Sequence, residues 1–260
     1  MIEAQRRAYA DRSEYLGDPD FYPVPVGRLL DKEYARDRFK DFNFEAAGSS
    51  DEISPGLSGQ ESMETTHLSV MDDKGNVVAY TTTLNLSYGS KIVVSGAGFL
   101  LNNEMDDFSA KENEPNFYGL IGRKANAIEP GKRMLSSMTP TIVLKDGEPL
   151  MATGSPGGST IITTTLQVIM NVIDHRMGLR DAVTSPRFHH QWRPDRVVHE
   201  AFAFSPDTKD RLEKIGHKNL SPIPSYYGRG IGDANSVMKT VEGYVGVSDP
   251  RNAGGASGVR

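Results

Sequence analysis

The chain has 260 residues and a formal net charge of −5, with 29 Lys and Arg against 34 Asp and Glu. This balance gives no electrostatic case for a nucleic-acid partner, and no run approaches the ~18 apolar residues that span a bilayer. The chain contains no cysteine, which excludes disulfides, thiolate nucleophiles and zinc–thiolate sites. The adjacent pair His189 and His190 would point to opposite faces of a strand. We therefore expect neither a cofactor nor a metal.

Residues 1–19 are predicted to form a helix that ends at Gly17 and Pro19. Residues 20–64 are predicted to be mostly extended and loop-like. Their last portion, AAGSSDEISPGLSGQESME, is rich in serine, glycine and acidic residues, as is typical of a mobile linker. We therefore divide the chain into a segment 1–64 and a segment 65–260.

Three hairpins with glycine in their turns follow from residue 65. Their sequences are THLSVMDDKGNVVAYTTTLN, TPTIVLKDGEPLMATG and SVMKTVEGYVGVSD. Repeated hairpins of this kind predict an antiparallel sheet. Runs such as TIVL and PLMA are apolar on both faces, so we expect these strands to be covered on both sides.

Two later segments predict helices. Residues 159–178 carry apolar side chains on more than one face, which predicts a buried helix. Residues 205–216 offer Ser205 as the N-cap, Pro206 in the first turn and Gly216 as the stop. Helices packed on antiparallel sheet predict a layered α+β architecture.

The stretch ETTHLSV places Thr65 at the start of the first predicted strand, directly after the linker. Threonine suits a strand, so β-propensity alone can explain it. The alternative is a nucleophile, which would need a base close by. Cleavage of the Glu64–Thr65 bond would give Thr65 a free α-amine with a pKa near ~7.7–8.0. That amine could take the proton from the hydroxyl of the same residue.

Three further stretches each have two interpretations. Residues 153–160, TGSPGGST, either form an ordinary turn from strand to helix or present free backbone N–H groups to an oxyanion. Glu104 and Asp107, in LLNNEMDDFS, either lie in a solvated acidic loop or bind a cationic amine. Ser136 and Ser137 either form a turn or donate hydrogen bonds to a carboxylate.

Five segments occur in the order and spacing of the γ-glutamyltranspeptidases: ETTHLSVMDDKGNVVAYTTTLN, GFLLNNEMDDFS, KRMLSSMTPTIV, TGSPGGSTIITT and SPRFHHQW. A further segment, AYADRSEYLGDPDF, is similar to the region upstream of that family's processing site. The chain resembles this family of N-terminal nucleophile hydrolases over essentially its whole length. The resemblance implies a four-layer αββα sandwich, of which this chain would form a part, with residues 1–64 as the tail of the large-subunit region and residues 65–260 as the small-subunit catalytic region. Family precursors also carry a long upstream region, which becomes the large subunit and supplies an arginine to the substrate carboxylate.

The resemblance implies a role for each candidate residue. Thr65 would be the nucleophile, freed by self-cleavage after Glu64, and Thr83 would orient it. The substrate α-amino group would be bound by Asn85, Glu104 and Asp107, and its α-carboxylate by Ser136 and Ser137. The oxyanion hole would be formed by Gly157 and Gly158. The tip of a lid loop would be formed by Tyr118.

The implied activity is transfer of the γ-glutamyl group from glutathione or other γ-glutamyl amides to water or to amino-acid and dipeptide acceptors. One alternative is a cephalosporin (glutaryl) acylase of the same fold, against which the amine-binding set Asn85, Glu104 and Asp107 argues. Another is an inactive fragment, or a subunit that needs a separately encoded large subunit. We expect the Glu64–Thr65 bond to be intact and the isolated chain to self-associate and show little activity. The resemblance implies a periplasmic or extracellular location.

Overall fold

The computed structural model describes residues 1–53, 65–111, 114–223 and 230–258. The helices are α1 (Ile2–Tyr15), α2 (Val26–Leu29), α3 (Lys32–Asp37), α4 (Thr160–Ile173), α5 (Leu179–Thr184) and α6 (Pro206–Lys214). The strands are β1 (Thr65–Met71), β2 (Val77–Thr83), β3 (Thr141–Lys145), β4 (Glu148–Thr153), β5 (Phe188–His189), β6 (Val197–His199), β7 (Leu220–Pro222), β8 (Ser236–Thr240) and β9 (Gly243–Val247). Over these ranges, no helix has the length and apolar character needed to cross a membrane.

Strands β1 and β2 form the first predicted hairpin, with Thr65 opposite Thr83 at its open end. The turn is built by Asp72, whose carboxylate accepts hydrogen bonds from the backbone N–H groups of Lys74 at 3.0 Å and Asn76 at 2.8 Å. Gly75 takes a φ of +85° in this turn, a conformation that favours glycine. The local sequence therefore sets the register that brings the two threonines together.

The other two predicted hairpins join in one antiparallel sheet with the strand order β3-β4-β8-β9. A third sheet, β5-β6-β7, pairs β5 with β6 antiparallel and β6 with β7 parallel. No sequence pattern predicts this sheet, because its strands are only two or three residues long. Together the helices and sheets confirm the predicted α+β class.

Helix α4 ends at Ile173, earlier than predicted. It contributes Val168 to a core that also contains Met151, Leu179 and Val183. The predicted burial of α4 holds on one side only in this chain. Its buried side consists largely of threonines, whereas part of the predicted apolar stripe, including Ile173, is exposed. Threonine hydroxyls can be buried there because they donate back to helix carbonyls, as Thr163 does to Thr160 at 3.1 Å.

Helix α1 confirms the first predicted helix and packs on the rest of the chain. Tyr9 and Ala10 join Ile121 and Trp192 in a second core cluster, and the Tyr9 hydroxyl donates to the carbonyl of Ser159. This contact fixes α1 against the start of α4. Residues 54–64, which include most of the predicted linker and its boundary, lie outside the described residues, so that boundary stays a prediction.

The segment after α1 is not only extended, because it contains the short helices α2 and α3; the side chain of Asp31 caps α3. Helix α6 is confirmed, with Ser205 accepting a hydrogen bond from the N–H of Thr208 at 3.2 Å. The expectation of strands covered on both sides is wrong within this chain, since Ile142 is 44% exposed and Leu144 is 59% exposed.

Candidate functional site

The open end of the β1–β2 hairpin presents two threonine side chains on one half-buried face. The Thr65 hydroxyl donates to Oγ1 of Thr83 at 3.3 Å. The backbone N–H of Asn85 donates to the same oxygen at 2.9 Å. Thr83 therefore links the predicted nucleophile to the loop that follows β2.

His67 lies on the same face of β1, beneath Thr65. The Ser69 hydroxyl donates to the carbonyl of Asn235 at 2.9 Å, so Ser69 Oγ is left to accept from His67 Nε2 at 2.9 Å. Nδ1 of His67 then accepts from the Thr81 hydroxyl at 2.7 Å. Burial lowers the pKa of His67 to about 4. The neutral imidazole is thus a structural clamp on β1, which sequence reasoning did not identify.

The loop that carries the predicted oxyanion hole is brought to β1 by this histidine. A Cβ at Gly154 would lie 2.3 Å from Cε1 of His67, so only glycine permits this approach. Gly157 and Gly158 follow with φ values of +136° and +54°, and Thr160 donates its hydroxyl to the carbonyl of Gly157 at 2.7 Å. None of the described residues accepts a hydrogen bond from the N–H of Gly157 or Gly158. As far as the described residues go, these two N–H groups carry no hydrogen bond and are able to donate to an oxyanion.

Asn85 turns the chain at the side of the site. Its φ of +72° is a left-handed conformation that asparagine tolerates better than most residues. Its side chain donates to the carbonyl of Asn103 at 3.1 Å, and its carbonyl accepts from the Tyr118 hydroxyl. Tyr118 was expected at the tip of a lid loop. It is instead 4% exposed and forms a wall of the site, because this hydrogen bond holds it against Asn85.

Glu104 and Asp107 lie at the two ends of one turn of 3₁₀-helix. Burial and the nearby charge of Asp107 raise the pKa of Glu104 to about 7. Burial raises the pKa of Asp107 to about 6, while the charge of Arg12 acts in the opposite direction. Glu104 is the more easily protonated of the two and donates to Asp107. The pair is therefore negative at neutral pH and suited to an ammonium group.

Two asparagines that the sequence analysis did not single out hold Asp107 in place. The side chain of Asn116 donates to Oδ1 of Asp107 at 3.4 Å. The side chain of Asn126 donates to the carbonyl of Asp107 at 2.7 Å and accepts from the N–H of Leu135 at 3.0 Å. Asn126 thus connects the acidic turn to the stretch that leads into Ser136.

These elements line an open cleft with about 270 Å³ of free space. It is lined by Thr65, Thr83, Asn85, Asp107, Tyr118, Ser136, Ser137, Met138, Gly158 and Ile161. Among the predicted site residues, Glu104 and Gly157 do not line it, although Glu104 contacts Asp107 and Gly157 precedes Gly158. Met138 and Ile161 were not predicted, because nothing distinguishes a lining apolar residue from a core residue in a sequence. In the described ranges, no group of three potential metal ligands occurs.

The chain is similar to known proteins over almost its whole length. The family model described as gamma-glutamyltranspeptidase matches residues 1–259. The glutathione hydrolase proenzyme of Escherichia coli (strain K12) is 51% identical over 254 residues, which cover 97% of this chain and 43% of that protein. The chain therefore spans less than half the length of the curated relatives it matches.

Solved structures of a gamma-glutamyltranspeptidase and of an acylase also match this chain. A gamma-glutamyltranspeptidase of Helicobacter pylori matches with a TM-score of 0.67 and 52% identity, covering 72% of this chain and 100% of that chain. A cephalosporin acylase from Bacillus halodurans matches with a TM-score of 0.77 and 27% identity, covering 96% of this chain and 42% of that chain. The fold they share with this chain is that of the N-terminal nucleophile hydrolases.

Proposed function

Because the chain belongs to the gamma-glutamyltranspeptidase family, we propose that it carries the catalytic threonine and the glutamyl pocket of a γ-glutamyl-transferring enzyme. The donors are glutathione and other γ-glutamyl amides, and the acceptors are water, amino acids or dipeptides. One observation carries the proposal. Thr65 opens into a cleft that also contains the carboxyl group of Asp107 and the hydroxyls of Ser136 and Ser137. An anion and paired hydroxyl donors in one small cleft suit the ammonium and carboxylate of an α-amino acid.

Thr65 becomes a nucleophile when its own α-amine is free, which requires scission of the Glu64–Thr65 bond. A neutral α-amine takes the proton as Thr65 Oγ1 attacks the γ-carbonyl carbon of the donor. Thr83 holds the hydroxyl in position during this step. Glu64 lies outside the described residues, so our expectation of an intact bond stays a prediction.

The tetrahedral intermediate carries its negative charge on the former carbonyl oxygen. The N–H groups of Gly157 and Gly158 donate to this oxyanion, which lowers the barrier in the manner of other oxyanion holes. Collapse of the intermediate breaks the amide C–N bond, and the leaving amine receives the proton held by the α-ammonium of Thr65. Water or an acceptor amine then attacks the Thr65 ester, which releases the glutamyl group and restores the hydroxyl.

An acylase that removes glutaryl groups is the second candidate, because a cephalosporin acylase is among the structural matches. A glutaryl chain has the carboxylate but not the α-ammonium of a glutamyl group. The partly buried carboxyls of Glu104 and Asp107 would then meet no ammonium from the substrate, and desolvated carboxylates without a close cation are costly. The γ-glutamyl reaction is therefore the better fit to this cleft.

We further propose a protein partner on the exposed apolar surface of the β1–β2 hairpin and of strand β3. Four exposed apolar residues lie in two cross-strand pairs of the β1–β2 hairpin, Leu68 with Tyr80 and Val70 with Val78. Strand β3 adds exposed Ile142 and Leu144. Exposed apolar surface of this kind usually marks an interface. The proposed occupant is a large subunit. It is the polypeptide that corresponds to the part of the relatives' length that this chain does not cover.

The test is release of p-nitroaniline from γ-glutamyl-p-nitroanilide by the chain alone and by the chain with that large-subunit polypeptide. We expect little turnover and self-association for the chain alone, and turnover together with scission before Thr65, seen by mass spectrometry, for the combination. Thr65→Ala should abolish turnover, whereas Thr66→Ala, on the exposed side of β1, should not. Turnover that survives Thr65→Ala would refute the assignment of the nucleophile. Faster turnover of glutaryl-p-nitroanilide would favour the acylase.

A further inference from the structure

Arg12, on helix α1, lies against the site from a segment far away in the chain. It is 9% exposed, and its Nη2 donates to Oγ of Ser137 at 3.0 Å, across 125 positions in the sequence. Among the described residues, no carboxylate forms an ion pair with it. The other buried arginines of α1 differ in this respect, because Arg6 and Arg7 both pair with Glu3.

A buried arginine without a carboxylate in an ion pair is costly to the fold, because the more distant charge of Asp107 does not offset its desolvation. Burial accordingly lowers the pKa of Arg12. The arrangement is better explained by a role in the site than by a contribution to stability.

The chemistry of the hydrogen bond fixes its direction. A guanidinium has only donors, so Ser137 Oγ must be the acceptor. The hydroxyl hydrogen of Ser137 is then left to point elsewhere, and Ser137 lines the cleft that contains Thr65. A charged donor on the oxygen also polarises the hydroxyl, which makes it a stronger hydrogen-bond donor.

Arg12 also lies near the acidic side of the cleft. It lines a neighbouring cavity together with Asp107, and Asp107 lines both cavities. The charge of Arg12 favours the ionised form of Asp107 against the effect of burial. The buried charge of Arg12 thus acts on Ser137, proposed for the substrate carboxylate, and on Asp107, proposed for the substrate ammonium.

We propose that Arg12 is a positioning residue that directs the Ser137 hydroxyl toward the α-carboxylate of the γ-glutamyl donor. This inference rests on the proposed function. It assigns to α1 a direct part in substrate selection, because a donor without the α-carboxylate would gain nothing from the Arg12–Ser137 pair.

The experiment uses the active form of the protein and two anilide donors. The γ-glutamyl donor has the α-carboxylate, and 4-aminobutyryl-p-nitroanilide is the same donor without it. We expect Arg12→Gln to lower kcat/KM for the γ-glutamyl donor by roughly 10- to 100-fold, mainly through KM, which is the range for a hydrogen bond to a charged group. Turnover of the 4-aminobutyryl donor should fall much less, because that donor loses only the effect of Arg12 on Asp107, which both donors share. The double variant with Ser137→Ala should be no worse than Ser137→Ala alone, because coupled residues are not additive.

Two further variants complete the design. Arg12→Lys keeps a positive charge and should recover part of the lost kcat/KM for the γ-glutamyl donor. It is also the variant to measure if Arg12→Gln fails to fold. Arg7→Gln is the matched control, since Arg7 is buried on the same helix but pairs with Glu3 and Asp41 instead. It should leave the ratio between the two donors unchanged. Equal losses for both donors, or additivity with Ser137→Ala, would overturn the inference alone. A wild-type protein that turns over neither donor would overturn the proposed function and this inference with it.

Discussion

Thr65 and Thr83 lie directly opposite each other in the β1–β2 register, and the Thr65 hydroxyl donates to that of Thr83 at 3.3 Å. The N–H of Asn85 donates to the same oxygen at 2.9 Å. One threonine therefore positions both the predicted nucleophile and Asn85, which is predicted to bind the substrate amine. A change at Thr83 should affect the chemical step and the shape of the pocket together.

We expect Thr83→Ala to lower kcat by ~10²-fold or more, because positioning of a catalytic group is worth about this much. Thr83→Ser keeps the hydroxyl and should retain most of the activity. Thr82→Ala, on the exposed side of β2, is the control and should behave like wild type. The measurement is steady-state turnover of γ-glutamyl-p-nitroanilide. Wild-type kcat in Thr83→Ala would show that the threonine pair has no part in catalysis.

Glu104 and Asp107 should make donor binding depend on pH. Their pKa values are raised to about 7 and about 6, so both lose negative charge as the pH falls through this window. We expect KM for a γ-glutamyl donor to rise on acidification from about pH 8 to about pH 5. Glutaryl-p-nitroanilide, which has no ammonium, is the control donor. A parallel rise in KM for both donors would argue against an amine-binding role for these carboxyls.

Glu104 and Asp107 should make the folded state less stable as the pH rises, whereas ion-paired carboxyls make it more stable. A carboxyl whose pKa is raised by folding binds its proton more tightly in the folded state. The stability that this proton adds to the folded state is fully present below the unfolded pKa of about 4 and is lost as the pH rises through 6 to 7. Asp107→Asn should therefore gain stability relative to wild type as the pH rises, measured by urea unfolding at several pH values. An unchanged difference across that range would contradict this prediction.

His67 should contribute acid sensitivity to the fold. Burial lowers its pKa in the folded state to about 4. In the unfolded state the imidazole is protonated near the ordinary pKa of about 6.5. The stability associated with neutral His67 is present above that value and is lost as the pH falls toward 4. His67→Gln should lose less stability than wild type between about pH 7 and pH 5. Exposed His175→Gln is the control, and equal pH profiles for His67→Gln and wild type would refute the clamp.

A buried ionic cluster should dominate the stability of the C-terminal segment. Arg251 pairs with Glu200 at 2.6 Å and with Asp249 at 2.9 Å, and these side chains are almost entirely buried. Arg251→Met leaves two carboxylates without this partner, and we expect a loss of about 3–5 kcal/mol in the free energy of unfolding. Arg211→Met, which breaks an exposed pair with Glu45, should cost less than about 1 kcal/mol. Similar losses for both variants in urea unfolding would contradict this account.

Part of the fold could be predicted because its signals are local. The Asp72–Gly75 turn, the Ser205 cap of α6 and the alternation along β1 each act within a few residues. The site could be predicted only through the resemblance to a family, since TGSPGGST and the two serines are compatible with ordinary turns. The roles of Thr65, Asp107 and Ser137 stay predictions, although the structure places all three around one cleft.

The sequence by itself determined the hairpins, and with the β1–β2 register it determined that Thr65 faces Thr83. Tertiary structure alone decided which polar groups are desolvated and what they meet. No pattern in RRAYADR indicates that Arg12 is buried or that it reaches Ser137 at 3.0 Å. The raised pKa values of Glu104 and Asp107 have the same origin. Turns and caps depend on neighbours in the chain, whereas burial and charge depend on neighbours in space that distant segments supply.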